Sequence, residues 1–342
     1  MKRILIRLAM VTFFLCCAGT VFWVSWQRPS ILVLHSYDGD YAWTREVDMG
    51  LSRILDAQNW ARVGTYYMKT KISKDPDYLR RAGLAARRAI DTAAPDVLIA
   101  VDDAAQELAA KYYVNHSDMQ IVFAGVNGGT EAYGYPGAAN VTGILERKPV
   151  AAIIECLRFL EPDRSGRVRV MLLCDRSYSA TSDADYLLSS DWGDIDFRGA
   201  RRVDSLPEWQ QAVAELAGTI DYLLVGGYRQ LSDPDRGGGL APAAEVMSWT
   251  ENHAAMPVIG INVFNVEDGA MLAVGVSPFE QGEVAAEMAL KLVQSGQPAV
   301  ELPVRTSQQY VIAMRRSVLQ RRQIEVPRIV EAFARATNNY YP

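Results

Sequence analysis

Short, unbroken apolar runs alternate with stretches of helical spacing along nearly the whole chain. Runs of this kind predict strands, and Ile31–Leu34 reads as one covered on both faces. They fall at 31–34, 62–67, 97–101, 120–124, 168–174, 221–225, 257–261 and 271–276. Between them, apolar residues recur at three- and four-residue intervals, which predicts amphipathic helices. These lie near 43–58, 76–93, 103–113, 149–160, 206–218, 240–253 and 279–295. Regular alternation of strand and helix implies mainly parallel sheets with helices on both faces.

Eight strands exceed one simple sheet, so the pattern divides in two. The segment Asn140–Leu145 leads into Glu146-Arg147-Lys148-Pro149, and a new series begins at Val168. A second crossing between lobes is expected near Gly275–Pro278 and a third near Glu301–Val304. The expected organisation is a leader or anchor at 1–29, one lobe from 30–145 plus 278–300, and another from 146–277 plus 301–342. Three connecting segments make a hinge, and the cleft between hinged lobes is a preferred small-molecule site.

The loops after the strands carry the candidate chemistry, because ligands of open α/β sheets bind beyond the carboxyl ends of strands. After Ile31–Leu34 comes His35-Ser36-Tyr37-Asp38, then Tyr41 and Trp43. Tyr37 and Trp43 can stack on a flat solute or pack the helix start. Ser36 can contact a solute or cap a turn, and Thr44 is the expected helix N-cap. Asp102 and Asp103 follow VLIAV; one should cap the next helix, leaving the other for an ammonium or hydroxyl. Asn127 sits in AGVNGG, a binding wall or a plain turn. Glu146 lies on the first crossing, where it can reach a solute or form an ion pair. In the second lobe Arg176 and Tyr178 follow VRVMLLC, and Tyr228 follows DYLLV. Arg176 can hold a carboxylate bidentately or make a salt bridge.

Composition narrows the class. The 342 residues are 49% hydrophobic and 22% charged, with net charge -5, which is globular and argues against nucleic-acid binding. Lys2, Arg3 and Arg7 precede an apolar run from Leu8 to Trp26, which places the body outside the cytoplasm. Cleavage after Cys16-Cys17-Ala18 and retention as a membrane anchor both remain open. Only Cys156 and Cys174 lie in the body, and they read as buried free thiols. The three His and the Cys show no metal-ligand spacing. Gly237-Gly238-Gly239 lacks the Lys-Ser/Thr of a phosphate loop and reads as a surface turn. No cofactor is expected. No GxSxG motif or nucleophile–base pair can be assigned, and His35 beside Ser36 points to the opposite face. The chain therefore reads as a non-enzyme, with a hydrolase on the same fold as the least favoured alternative.

HSYDGDYAWT, PDVLIAVDDAAQEL, IVFAGVNGG, NVTGILERKPV and the stretch from PVIGINVFN to AVELPV, taken in order, resemble the ABC-transporter-type periplasmic substrate-binding proteins of the tryptophan/tyrosine-binding class. The resemblance covers about Ile31 to Val304. It implies the type I periplasmic-binding fold and a Venus-flytrap binder without catalytic chemistry. It further implies a small solute delivered to an ABC permease; the loop residues suit one that is polar or aromatic, amino acids among them. The alternative is a membrane-anchored ligand-sensing subunit that reports to a sensor protein.

Overall fold

The computed structural model describes residues 10, 12–17, 19–20, 28–73, 75–161 and 165–342. Most of the apolar run Leu8–Trp26, including Trp23 and Trp26, lies outside the described residues. Among those described, no helix is long and apolar enough to cross a membrane.

Two sheets organise the chain. The first begins with β1 (Ser30–His35), α1 (Ala42–Leu55), β2 (Arg62–Tyr67), α2 (Pro76–Ala93), β3 (Val97–Val101), α3 (Asp103–Leu108), β4 (Gln120–Val126) and β5 (Val141–Leu145). Then α4 (Val150–Leu160) leads to β6 (Arg169–Asp175), α5 (Tyr178–Ser189), β7 (Asp196–Val203), α6 (Leu206–Leu216) and β8 (Tyr222–Val225). A hairpin of β9 (Ser232–Asp233) and β10 (Gly239–Leu240) turns through Gly237 and Gly238, and both glycines have positive φ. Next come α7 (Ala243–His253), β11 (Val258–Gly260), α8 (Phe264–Glu267), β12 (Leu272–Val276) and α9 (Pro278–Ser295). The chain closes with β13 (Arg305–Thr306), β14 (Tyr310–Arg315), α10 (Arg316–Arg321), α11 (Arg328–Ala336) and β15 (Tyr340–Tyr341).

The first sheet has the order β13-β5-β4-β3-β1-β2 and every pairing is parallel. The second has the order β15-β14-β12-β11-β8-β6-β7, with β12–β14 its antiparallel pair. The expected α/β architecture of mainly parallel sheets flanked by helices is what forms. Strands β1 and β3 are buried along their whole length, because helices cover both faces. The close crossing of α1 and α9 depends on two glycines. A Cβ on Gly50 would lie 2.1 Å from the Phe279 carbonyl oxygen, and one on Gly282 would lie 2.0 Å from that of Val47.

Several details depart from the sequence expectation. Val141–Leu145 adds a strand beside β4 that is not among the expected strands. Strand β7 and helix α5 have no clear apolar period. β7 is an edge strand whose Arg198, Arg201 and Arg202 pair with acidic neighbours, a composition suited to an unpaired edge. The expected helix 103–113 ends at Leu108, where Ala109 turns out of helical geometry (φ -137°, ψ -65°) before a 3-10 turn. Thr44 is not the cap of α1. Tyr41 holds that position, and Thr44 is buried inside the first turn with its hydroxyl unbonded. Cys156 and Cys174 are both buried free thiols.

The chain passes between sheets at 146–149, at Ser277 and at 307–309. The third passage is later than expected, because Arg305 and Thr306 still pair with Ile144 and Leu145. The passages are laced together. Glu280 accepts the backbone N–H groups of Gln308 and Gln309, and the Arg147 N–H donates to Ser307 Oγ at 3.0 Å.

Candidate functional site

The loops after β1, β3 and β4 face those after β6, β8 and β11 across a cavity of about 60 Å³. Tyr37, Trp43, Asp102 and Glu146 line it from the first sheet's side, and Asp175, Asp183, Arg229 and Phe264 from the second. A larger, more open cavity of about 360 Å³ adjoins it, bordered by Asp103, Tyr133 and Tyr178. Tyr37, Lys71 and Ser177 border both.

Asp102 is the most constrained residue of this wall. Its backbone has φ 66° and ψ 161°, a region nearly reserved for glycine that costs about 1–3 kcal/mol for other residues. Its neighbours hold it there. The Asp102 N–H donates to the Ala124 carbonyl at 2.8 Å, and its own carbonyl accepts from Ser36 Oγ at 3.2 Å. Gly125, itself at φ 65°, makes room, since a Cβ there would lie 2.9 Å from Asp102 Oδ1. Neither aspartate caps α3, contrary to expectation. The Ala105 N–H donates to Ser36 Oγ at 2.7 Å, so Ser36 satisfies the helix start and the Asp102 side chain is released to the cavity. Asp102 Oδ2 is buried with no hydrogen-bond partner. Trp43 Nε1 is likewise buried and unbonded, yet the indole N–H is near enough to favour the charged form of Asp102. Burial, followed by Glu146 and Asp103, pushes the Asp102 carboxyl well above the usual carboxylate range.

A second cluster joins the hinge to the second lobe. Lys148, 2% exposed, donates to Glu146 Oε1 at 2.5 Å and to Asn262 Oδ1 at 2.8 Å, and lies 3.3 Å from Asp183 Oδ2. Burial opposes the Lys148 charge, but Asp183 and Glu146 hold its ammonium above its ordinary value. Burial raises Asp183 to about 6 against the pull of Lys148. Asn127 Nδ2 donates to Asp183 Oδ1 at 3.1 Å, directly across the cleft. Burial likewise raises Asp103 to about 7, opposed by the hydrogen bond it accepts from Tyr133 at 2.9 Å.

Aromatic and cationic groups alternate along the cleft. The Lys71 ammonium lies 4.6 Å from the Tyr37 ring centre, and Tyr37 meets Tyr41 edge-on at 5.3 Å. Arg229 sits 5.2 Å from Tyr41 and 4.4 Å from Phe264, with its charge paired to Asp268 at 2.8 Å. Each such contact contributes about 0.5–1 kcal/mol, more when desolvated, and the Tyr41–Arg229 contact joins the two lobes.

Of the residues singled out in the sequence, Tyr37, Trp43, Asp102, Asn127 and Glu146 border the smaller cavity, and Asp103 and Tyr178 the larger. Ser36, Arg176 and Tyr228 border neither. Ser36 is fully buried and its hydroxyl is committed to backbone groups. Arg176 is exposed and pairs with Asp204 at 3.0 Å. Tyr228 is fully buried against Trp209 and donates to Asp268 at 2.7 Å. Lys71, Lys148 and Asp183 were not anticipated. Lys148 had a usable signal, a lysine beside an acid on a crossing segment, whereas Asp183 lies mid-helix with none. His35 is structural: Nε2 is 2.8 Å from Asp48 Oδ1 on α1, and the ring stacks on Tyr67 at 5.2 Å. Among the described residues no group of three or more His, Cys, Asp or Glu is placed to hold a metal ion.

Three solved structures share the fold. One is a conserved domain protein from Vibrio cholerae: 19% identity over 90% of this chain and 98% of that one, TM-score 0.64. The second is an ABC domain in complex with L-Trp from Streptococcus pneumonia: 16% identity over 90% and 98%, TM-score 0.65. The third is CD0873, a substrate-binding protein with adhesive properties from Clostridium difficile: 17% over 88% and 96%, TM-score 0.64. No curated protein matches the chain. The family model described as ABC transporter substrate binding protein matches residues 239–338. The chain has the type I periplasmic-binding fold, and its residues 239–338 are similar to the ABC transporter substrate-binding family that the sequence resembles.

Proposed function

We propose that the protein is an extracytoplasmic solute-binding protein that closes its two lobes on a small polar or aromatic solute and hands it to an ABC permease. The lobes are 30–145 with 278–306, and 146–277 with 307–342, moving on the three passages between sheets. The basic and apolar N-terminus serves as a leader or an anchor. The observation that carries the reading is the buried, unbonded Asp102 Oδ2, held by strained backbone at a cavity both lobes enclose. An unsatisfied buried carboxylate is costly, and a ligand group that satisfies it recovers that cost. The similar fold solved with L-Trp supports a small organic solute.

Native mass spectrometry of the protein purified from its host tests this. The expected result is a co-purifying small molecule that is lost on partial denaturation and whose return raises the unfolding temperature. A ligand at a hundredfold excess over its dissociation constant adds about 2.7 kcal/mol. Absence of any such molecule, with no shift from a broad metabolite panel, refutes the reading. Co-isolation of a permease rather than a sensor protein separates transport from signalling.

A further inference from the structure

Four carboxyl groups border the smaller cavity: Asp102, Glu146, Asp175 and Asp183. Three are already engaged. Glu146 and Asp183 share Lys148. Asp175 accepts the Ser177 N–H at 2.9 Å, the Ser177 hydroxyl at 2.5 Å and the Gln230 N–H at 2.9 Å. Asp102, 3% exposed, has an oxygen with no partner. Two of the cations of this wall are paired with acids, and the third stands against a ring. Lys148 is held by its two acids, Arg229 by Asp268, and Lys71 lies over the Tyr37 ring. A carboxylate on the solute would therefore enter a low-dielectric site facing carboxylates, where like charges repel strongly. A cation would meet the unpartnered Asp102 oxygen beside Trp43 and Tyr37, aromatic groups of the kind that attract positive charge.

We infer, building on the solute-binding role above, that the solute carries a net positive charge, with an ammonium or guanidinium group that pairs with Asp102 against the Trp43 and Tyr37 rings. Burial first, then Glu146 and Asp103, favour the protonated form of Asp102 before binding, and Lys71 and the Trp43 N–H oppose them. Arrival of a cation favours loss of the Asp102 proton, so affinity for the solute rises with pH.

Amines matched to amino acids that differ only by the α-carboxylate test this on the full chain. The pairs are tryptamine with L-tryptophan, tyramine with L-tyrosine, agmatine with L-arginine and cadaverine with L-lysine, each measured by thermal shift and calorimetry. The expected result is that the amine of at least one pair binds about tenfold or more tightly than its amino acid. Asp102→Asn should remove that preference while its unfolding temperature without solute stays at or above wild type. An amino acid that binds as tightly as its amine, or amine binding that survives Asp102→Asn, overturns the assignment. A bound sugar, nucleoside or zwitterion with no amine binding also overturns it, but leaves the solute-binding role standing. No binding from any of these classes removes both.

Discussion

Replacing Lys148 with methionine isolates a heavily buried ion cluster. The ammonium is 2% exposed and sits between Glu146 and Asp183, which are 4% and 6% exposed. Methionine keeps an unbranched apolar stem and deletes the charge, leaving two acids without a cation. Removing one partner from a buried pair costs about 3–5 kcal/mol, and that is the expected loss at pH 8. The loss should depend on pH in a definite direction. Asp183 is raised to about 6 even beside Lys148, and without it the folded value climbs further above the unfolded one. The folded variant then holds more protons than its unfolded chain, so its stability falls as pH rises through that window and recovers as pH falls. At pH 5 Asp183 can be neutral, and the deficit should shrink toward ~1–2 kcal/mol, the cost of imperfectly bonded polar groups. Urea unfolding of wild type and variant at pH 8 and pH 5 measures both numbers. Combining Lys148→Met with Glu146→Gln and Asp183→Asn should restore most of the loss at pH 8. A deficit below about 1 kcal/mol at pH 8, or one that does not shrink at pH 5, would refute this account of the cluster.

The wild-type protein without solute should itself lose stability between about pH 5 and pH 7.5. Burial raises Asp103 to about 7, Glu46 to about 7 with Glu267 adding to the push, and Asp183 to about 6. Each raised carboxyl gives the folded state extra protons, so rising pH favours unfolding at ~1.4 kcal/mol per unit of raise per group; an unfolding temperature that climbs over this range contradicts it. Gly282→Ala should destabilise by about 1–3 kcal/mol through overpacking at the α1–α9 crossing, although alanine is the better helix former by ~1 kcal/mol. A rise in urea midpoint for that variant would mean the two helices separate without penalty.

The sequence by itself determined most of the core strands and helices and their order. Apolar runs such as Val97–Val101 and Ile121–Val126 need cover on both faces, which alternating helices provide, and this forces parallel pairing and puts the polar loops at the strand ends. Tyr37, Trp43, Asp102, Asn127 and Glu146 were legible on that ground, because each lies in or just beyond such a loop. Tertiary structure decided which of those groups lose water and which find partners. Ser36 looked like a solute contact, but β3 and α3 pack against β1 and consume its hydroxyl, 69 residues away from the Ala105 N–H that it accepts. That capture is what leaves Asp102 free. Asp183 and Lys148 come together only because α5 docks beside the first passage between lobes. Arg176 and Tyr228 stand at the expected strand ends yet face solvent and core. Strand position is written in local apolar periodicity. The electrostatics of the cleft depends on contacts between segments far apart in the chain, and no local pattern encodes them.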